Sequence, residues 1–136
     1  MQFINFIKIY FIALPILIGL DALWLGLVAR GFYKKHIGFL MRPNFNIGLA
    51  LLFYLLYIAG LIFFVIAPGL DKNTVLQIFL KGAFFGLIAY ATYDLTSGAI
   101  IKDWPSIVTV VDIVWGAFAS GTISAIVFWI TTRFII

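Results

Sequence analysis

Four apolar runs, about residues 4–28, 47–66, 75–100 and 107–135, take up most of a 136-residue chain. Crossing the roughly 30 Å of hydrocarbon in a bilayer takes about 20 apolar residues as a helix, and each run supplies that length. A single segment in lipid must satisfy its own backbone hydrogen bonds, which the α-helix does. With 65% hydrophobic and only 10% charged residues, the chain has too little polar surface to coat a soluble globule. The expected fold is all-α: one transmembrane domain over residues 1–136, an integral membrane four-helix antiparallel bundle. Short connections make its topology up-down-up-down.

The first run is too long for the apolar region of a signal peptide. It also contains Asp21 and lacks a small-x-small cleavage site, so it is expected to be a retained helix. No cysteine is present, which excludes disulfides and thiolate metal sites. The nine basic residues outnumber the five acidic ones, but they sit mainly in loops and at helix ends. That is the ordinary pattern of a membrane protein and gives no reason to expect nucleic acid as a partner.

The longest connection, Arg30 to Asn46, carries Arg30, Lys34, Lys35, His36 and Arg42. Tyr33, Ile37 and Leu40 recur there at helical spacing, which predicts a short amphipathic helix lying in the headgroup region. Arg30, Lys34, Lys35 and Arg42 are the candidate headgroup-binding residues. Pro43, Asn44 and Asn46 turn the chain into the second span, which Pro68-Gly69 should stop. Thr74 and Gln77 form a capping box for the third span. Pro105 suits the first position of the fourth. The face bearing the first and third loops has five basic residues and the other face four, so the positive-inside rule leans toward a cytoplasmic basic loop with both termini outside.

Asp21, Asp94 and Asp112 carry the functional argument. A carboxylate at the centre of a membrane helix costs roughly 2.5–3.5 kcal/mol on insertion scales. At 1.5 Å per residue each lies about 10 Å from its helix end, and all three fall at the depth of the leaflet beside the basic loop. Gly82, Gly86, Tyr90 and Asp94 follow one another at i+4 steps, as do Asp112, Gly116 and Ser120; Ala22 and Gly26 flank Asp21. Small residues mark faces where helices approach closely, so the acids should face inward into one pocket. Trp24, Tyr90, Tyr93 and Trp115 are expected to line it with them. Such carboxylates can also serve as polar glue between helices, but three close together repel, and at least one should then hold a proton at neutral pH.

Other signals are weaker. His36 is expected to be a solvated neighbour of headgroups, and Trp104 part of the interfacial aromatic belt. Three aspartates have the chemistry to hold Mg²⁺ or Ca²⁺, but the aspartate-rich spacing of prenyl-diphosphate enzymes is absent. No metal and no cofactor are expected. There is no H-E-x-x-H pair, phosphate-cradling glycine loop or G-x-S-x-G element.

Leu20-Asp21-Ala22-Leu23-Trp24-Leu25-Gly26, Phe53-Tyr54-Leu55-Leu56-Tyr57, Ala89-Tyr90-Ala91-Thr92-Tyr93-Asp94-Leu95-Thr96 and Val111-Asp112-Ile113-Val114-Trp115-Gly116 resemble the motifs of a bacterial membrane-protein family. It is catalogued as domain of unknown function 2177. The resemblance spans nearly the whole chain and implies a multi-pass protein of the bacterial inner membrane, with no activity to carry over. The residues themselves point to an acidic pocket that binds a small cationic or amphipathic molecule or a lipid. Transport with proton exchange is an extension of that reading, and it would need a homodimer. One rival is a lipid-modifying enzyme with paired aspartates as acid and base. Another is a non-catalytic subunit of a membrane complex.

Overall fold

The computed structural model describes residues 2–136. Among them the chain is helical with no strand, and four helices are long and apolar enough to cross a membrane: α1 (Phe3–Val28), α3 (Ile47–Gly69), α4 (Val75–Ile100) and α5 (Ser106–Ile135). A short helix, α2 (Arg30–Ile37), follows α1 and runs into a single 3₁₀ turn at Gly38–Leu40.

Local chemistry sets the helix ends. The Thr74 hydroxyl accepts from the Gln77 amide at 3.2 Å, and the Gln77 side chain accepts from the Thr74 amide at 2.9 Å, which closes the capping box of α4. Asn46 caps α3 by accepting from the Leu49 amide at 3.1 Å. Pro105 is one position earlier than its sequence suggested: it is the N-cap residue of α5, extended at ψ 124°, and the helix begins at Ser106. Asp103 takes the left-handed conformation (φ 63°) in the tight turn before it, which a short polar side chain tolerates better than most.

Pro68-Gly69 ends the second span as expected, although the helix runs past Ile66 and takes in both residues before it stops at Gly69. A wide π-helical turn over Ile62–Ile66 precedes the proline. Pro68 has no amide to donate and its ring crowds the carbonyl four residues back, and a widened turn is one way to admit such a residue without breaking the helix. Similar turns end α1 at Trp24–Val28 and α5 at Thr131–Ile135.

Packing is uneven. Helices α4 and α5 lie closest, because Gly82 and Gly86 face Ser120, Ser124 and the Gly116 carbonyl, while the Tyr90 ring covers Gly116. These are the two stripes seen in the sequence, set against each other. Helix α1 packs across α3 and α5. Its buried stripe is Ile9, Ala13, Leu17 and Asp21, at strict i+4 steps, so the packing face continues straight into the carboxylate. Ala22 and Gly26, expected to mark that face, are exposed, and a Cβ on Gly26 would meet open space. The main core joins this stripe to Ile58, Leu61 and Ile62 of α3, Ile78 of α4, and Ile123 and Val127 of α5. Tyr10 ties α1 to α3 by donating to the Leu55 carbonyl at 2.8 Å.

The amphipathic helix is present as expected. Ala29 and Tyr33 are buried against Val108, with Trp24, Ile37 and Trp104 around them. Leu40, assigned to the same apolar side, is exposed in the 3₁₀ turn. It leaves that face because the helix tightens after Ile37 and the spacing shifts.

Candidate functional site

Asp21, Asp94 and Asp112 come from three helices, and their surroundings differ. Asp21 is 7% exposed. It accepts a long hydrogen bond of 3.3 Å from the Trp115 indole and has the Tyr54 hydroxyl beside it. Asp112, half-buried, accepts a hydrogen bond from the Tyr33 hydroxyl, which itself accepts from the Trp24 indole at 3.2 Å. Asp94 is 0% exposed, and neither of its carboxyl oxygens has a donor among the described residues. The polar group set against it is the carboxyl of Asp112.

Two of the three acids share a cavity of about 480 Å³. Asp21, Trp24, Tyr90, Tyr93, Asp112 and Trp115 all line it; Asp94, on α4 and neighbour to Asp112, does not. The volume is that of a site for a small organic molecule. Its walls are aromatic. Trp24 and Trp115 stack with ring centroids 4.4 Å apart and planes 4° from parallel, while Tyr93 is 59% exposed at the outer margin. Among the described residues no group of three or more His, Cys, Asp or Glu side chains could hold a metal ion.

Several lining residues are not among those that the sequence assigns to the pocket. Phe53 and Tyr57 supply the α3 wall, and Tyr57 shares a 2.5 Å hydrogen bond with Ser120. A signal was available: Tyr54 and Tyr57 are hydroxyl-bearing residues in an otherwise aliphatic span, where each hydroxyl needs a partner. Tyr33 belongs by its spacing to an apolar face, yet it is 8% exposed and its hydroxyl ends on Asp112. Burial, and then the bond to Asp112, raise its pKa above the ordinary phenol value, keeping the hydroxyl protonated as a donor. Tyr33→Phe should leave Asp112 without that donor at a cost of about 1–3 kcal/mol. Thermal unfolding of the purified protein, with proteolysis within Arg30–Ile37 as a second readout, checks this; unchanged values for both would contradict it.

Arg30, Lys34 and Arg42 border a separate groove with Gly38, Phe39, Met41 and Pro43. Lys35, the fourth candidate for headgroup contact, is exposed and does not border it. Helix α2 is therefore two-faced: Tyr33 reaches into the bundle, and Arg30 and Lys34, one turn apart, border the outer groove.

A family model described as "Predicted membrane protein (DUF2177)" matches residues 6–129, a stretch that includes every residue lining the cavity. No curated protein and no solved structure matches the chain.

Proposed function

The chain belongs to the DUF2177 family of predicted membrane proteins, and for this member we propose that the cavity between α1, α3, α4 and α5 binds an amphipathic organic cation dissolved in the bilayer. The observation that carries the reading is an aromatic chamber with carboxylates in its wall. The groups acting on Asp21 are Trp115, Tyr54 and Asp112, with no lysine or arginine among them. Carboxylates in an apolar setting call for a positive partner. The stacked indoles and the rings of Tyr90 and Tyr93 offer π-faces that attract a cation once it has left water. A ligand with an apolar body suits walls that are otherwise hydrocarbon, and the exposed edge of Tyr93 favours entry from the lipid.

The lipid-modifying reading would use one protonated and one ionised aspartate as acid and base on one substrate, with the basic loop holding its phosphate headgroup. It is less well supported, because no basic residue lines the cavity beside Asp21 and Asp112 to hold that phosphate, and Arg30, Lys34 and Arg42 border a separate groove. Movement of the cation across the membrane would take a second copy of the chain, since one four-helix unit has no second half to rock against. We further propose that the protein acts in a bacterial inner membrane, as its family resemblance implies. The basic groove supports a further role there, seating α2 on anionic lipid headgroups, with each Lys or Arg near the surface contributing about 1 kcal/mol.

Titration of the detergent-purified protein with tetraphenylphosphonium, followed by quenching of tryptophan fluorescence and by equilibrium dialysis, tests the proposal. Saturable binding is expected. Asp21→Asn and Asp112→Asn should each weaken it roughly ten- to a hundred-fold, the low end of what a close pair of opposite charges out of water contributes. Helical content of both variants should match the wild type. Equal binding of a neutral analogue of the same size, or no loss in either variant, would refute a charge-recognising site.

A further inference from the structure

Asp94 has no role in lining the cavity, yet it is the most buried of the three acids. Neither of its oxygens has a donor among the described residues, and its polar neighbour is another carboxyl, that of Asp112. Two carboxylates are both acceptors, so a hydrogen bond can join them only if one carries a proton. Without that proton two like charges would lie together in a low-dielectric interior. The other groups facing the pair are Tyr33 from α2, Tyr93 and Tyr90 from α4, and Asp21 from α1. Among the described residues, no lysine, arginine or histidine acts on Asp94. A proton between the carboxyls would do the work that a basic side chain does elsewhere.

We propose that Asp94 and Asp112 hold one proton between them, and that a cation entering the cavity beside Asp112 displaces it, one proton released for each cation bound. This rests on the cationic reading of the cavity and adds to it a coupling to protons. In the exchange one O–H bond breaks, the proton passes to water, and the cation takes over its electrostatic role; no electrons move. A positive charge next to Asp112 stabilises its ionised form, so cation and proton compete for the same carboxylate. By linkage, protons must weaken cation binding as much as the cation weakens proton binding. Asp94 acts through Asp112 and is a positioning residue: it stores the proton and keeps it at the back of the cavity, away from the ligand.

The test uses the full-length protein in weakly buffered detergent with a pH-indicator dye and tetraphenylphosphonium. About one proton per bound cation is expected from the wild type, with affinity falling up to ~10-fold for each unit by which pH is lowered across the range where the pair holds its proton. Asp94→Asn, whose amide can donate to Asp112, should bind the cation with no proton release and no dependence on pH over that range. Binding by the wild type without proton release, or equal release from Asp94→Asn, overturns the coupling while leaving the binding site standing. Failure of the wild type to bind refutes the cavity reading and the exchange with it. The shared proton is checked without ligand by infrared spectroscopy. A protonated-carboxyl stretch that shifts in heavy water and is lost in Asp94→Asn is expected, and its absence from the wild type overturns the pair.

Discussion

Gly86→Val should prise α4 from α5 and destabilise the protein by about 3 kcal/mol, the upper end of the usual range for overpacking. A Cβ at this position would overlap the Gly116 carbonyl and the Ser120 side chain. The first is backbone and can yield only if a helix shifts. Ser120 is bonded to Tyr57, and Tyr57 and Tyr90 both line the cavity. Cation binding should therefore fall together with stability. Gly19→Val is the matched control, since nothing lies within 4 Å of a Cβ there. Unfolding of both purified variants by heat or by SDS titration decides the matter; equal stability of the two would mean that α4 and α5 are not in backbone contact.

The second large effect is at Trp115. Its ring stacks on Trp24 and its indole donates to Asp21. Trp115→Ala removes both contacts. Stacking is worth about 0.5–1.5 kcal/mol and a hydrogen bond to a charged group about 1.5–3 kcal/mol, so a loss of roughly 2–4 kcal/mol is expected. Trp115→Phe keeps a ring against Trp24 and loses only the N–H. It should retain most of the stability and lose part of the affinity for the cation. Thermal unfolding alongside the binding titration separates the two contributions, and identical behaviour of Phe and Ala variants would show that stacking contributes nothing.

The spans were legible because lipid leaves one solution for a long apolar run, and the capping box at Thr74 and Gln77 was legible because its chemistry is local. The facing of α4 and α5 could be read from Gly82, Gly86, Gly116 and Ser120, since only small residues permit so close an approach. Helix α1 offered a false cue in Ala22 and Gly26. Its helix is apolar all round, so nothing in composition told the core stripe Ile9, Ala13, Leu17 from the lipid face, and Asp21 itself was the best guide to it. The different placing of Asp94 was not legible. Depth along a helix follows from counting residues, but which of three acids fronts a hollow depends on a few ångströms of side-chain position. Tyr33 was missed for another reason. Its neighbours in sequence read as a surface helix, and its partner Asp112 is 79 residues away.

Of the residues lining the cavity, Tyr33 alone comes from outside the four spans. The acid centre is thereby given a sidedness that the helices, apolar along most of their length, do not supply. A displacement of α2 would break the hydrogen bond from Tyr33 and so act directly on Asp112. Events at the far surface have the length of the core between them and the same carboxylate. Reconstituted vesicles with uniformly oriented protein should consequently respond to disturbance of one leaflet and ignore the other, which makes insertion direction a functional variable in its own right.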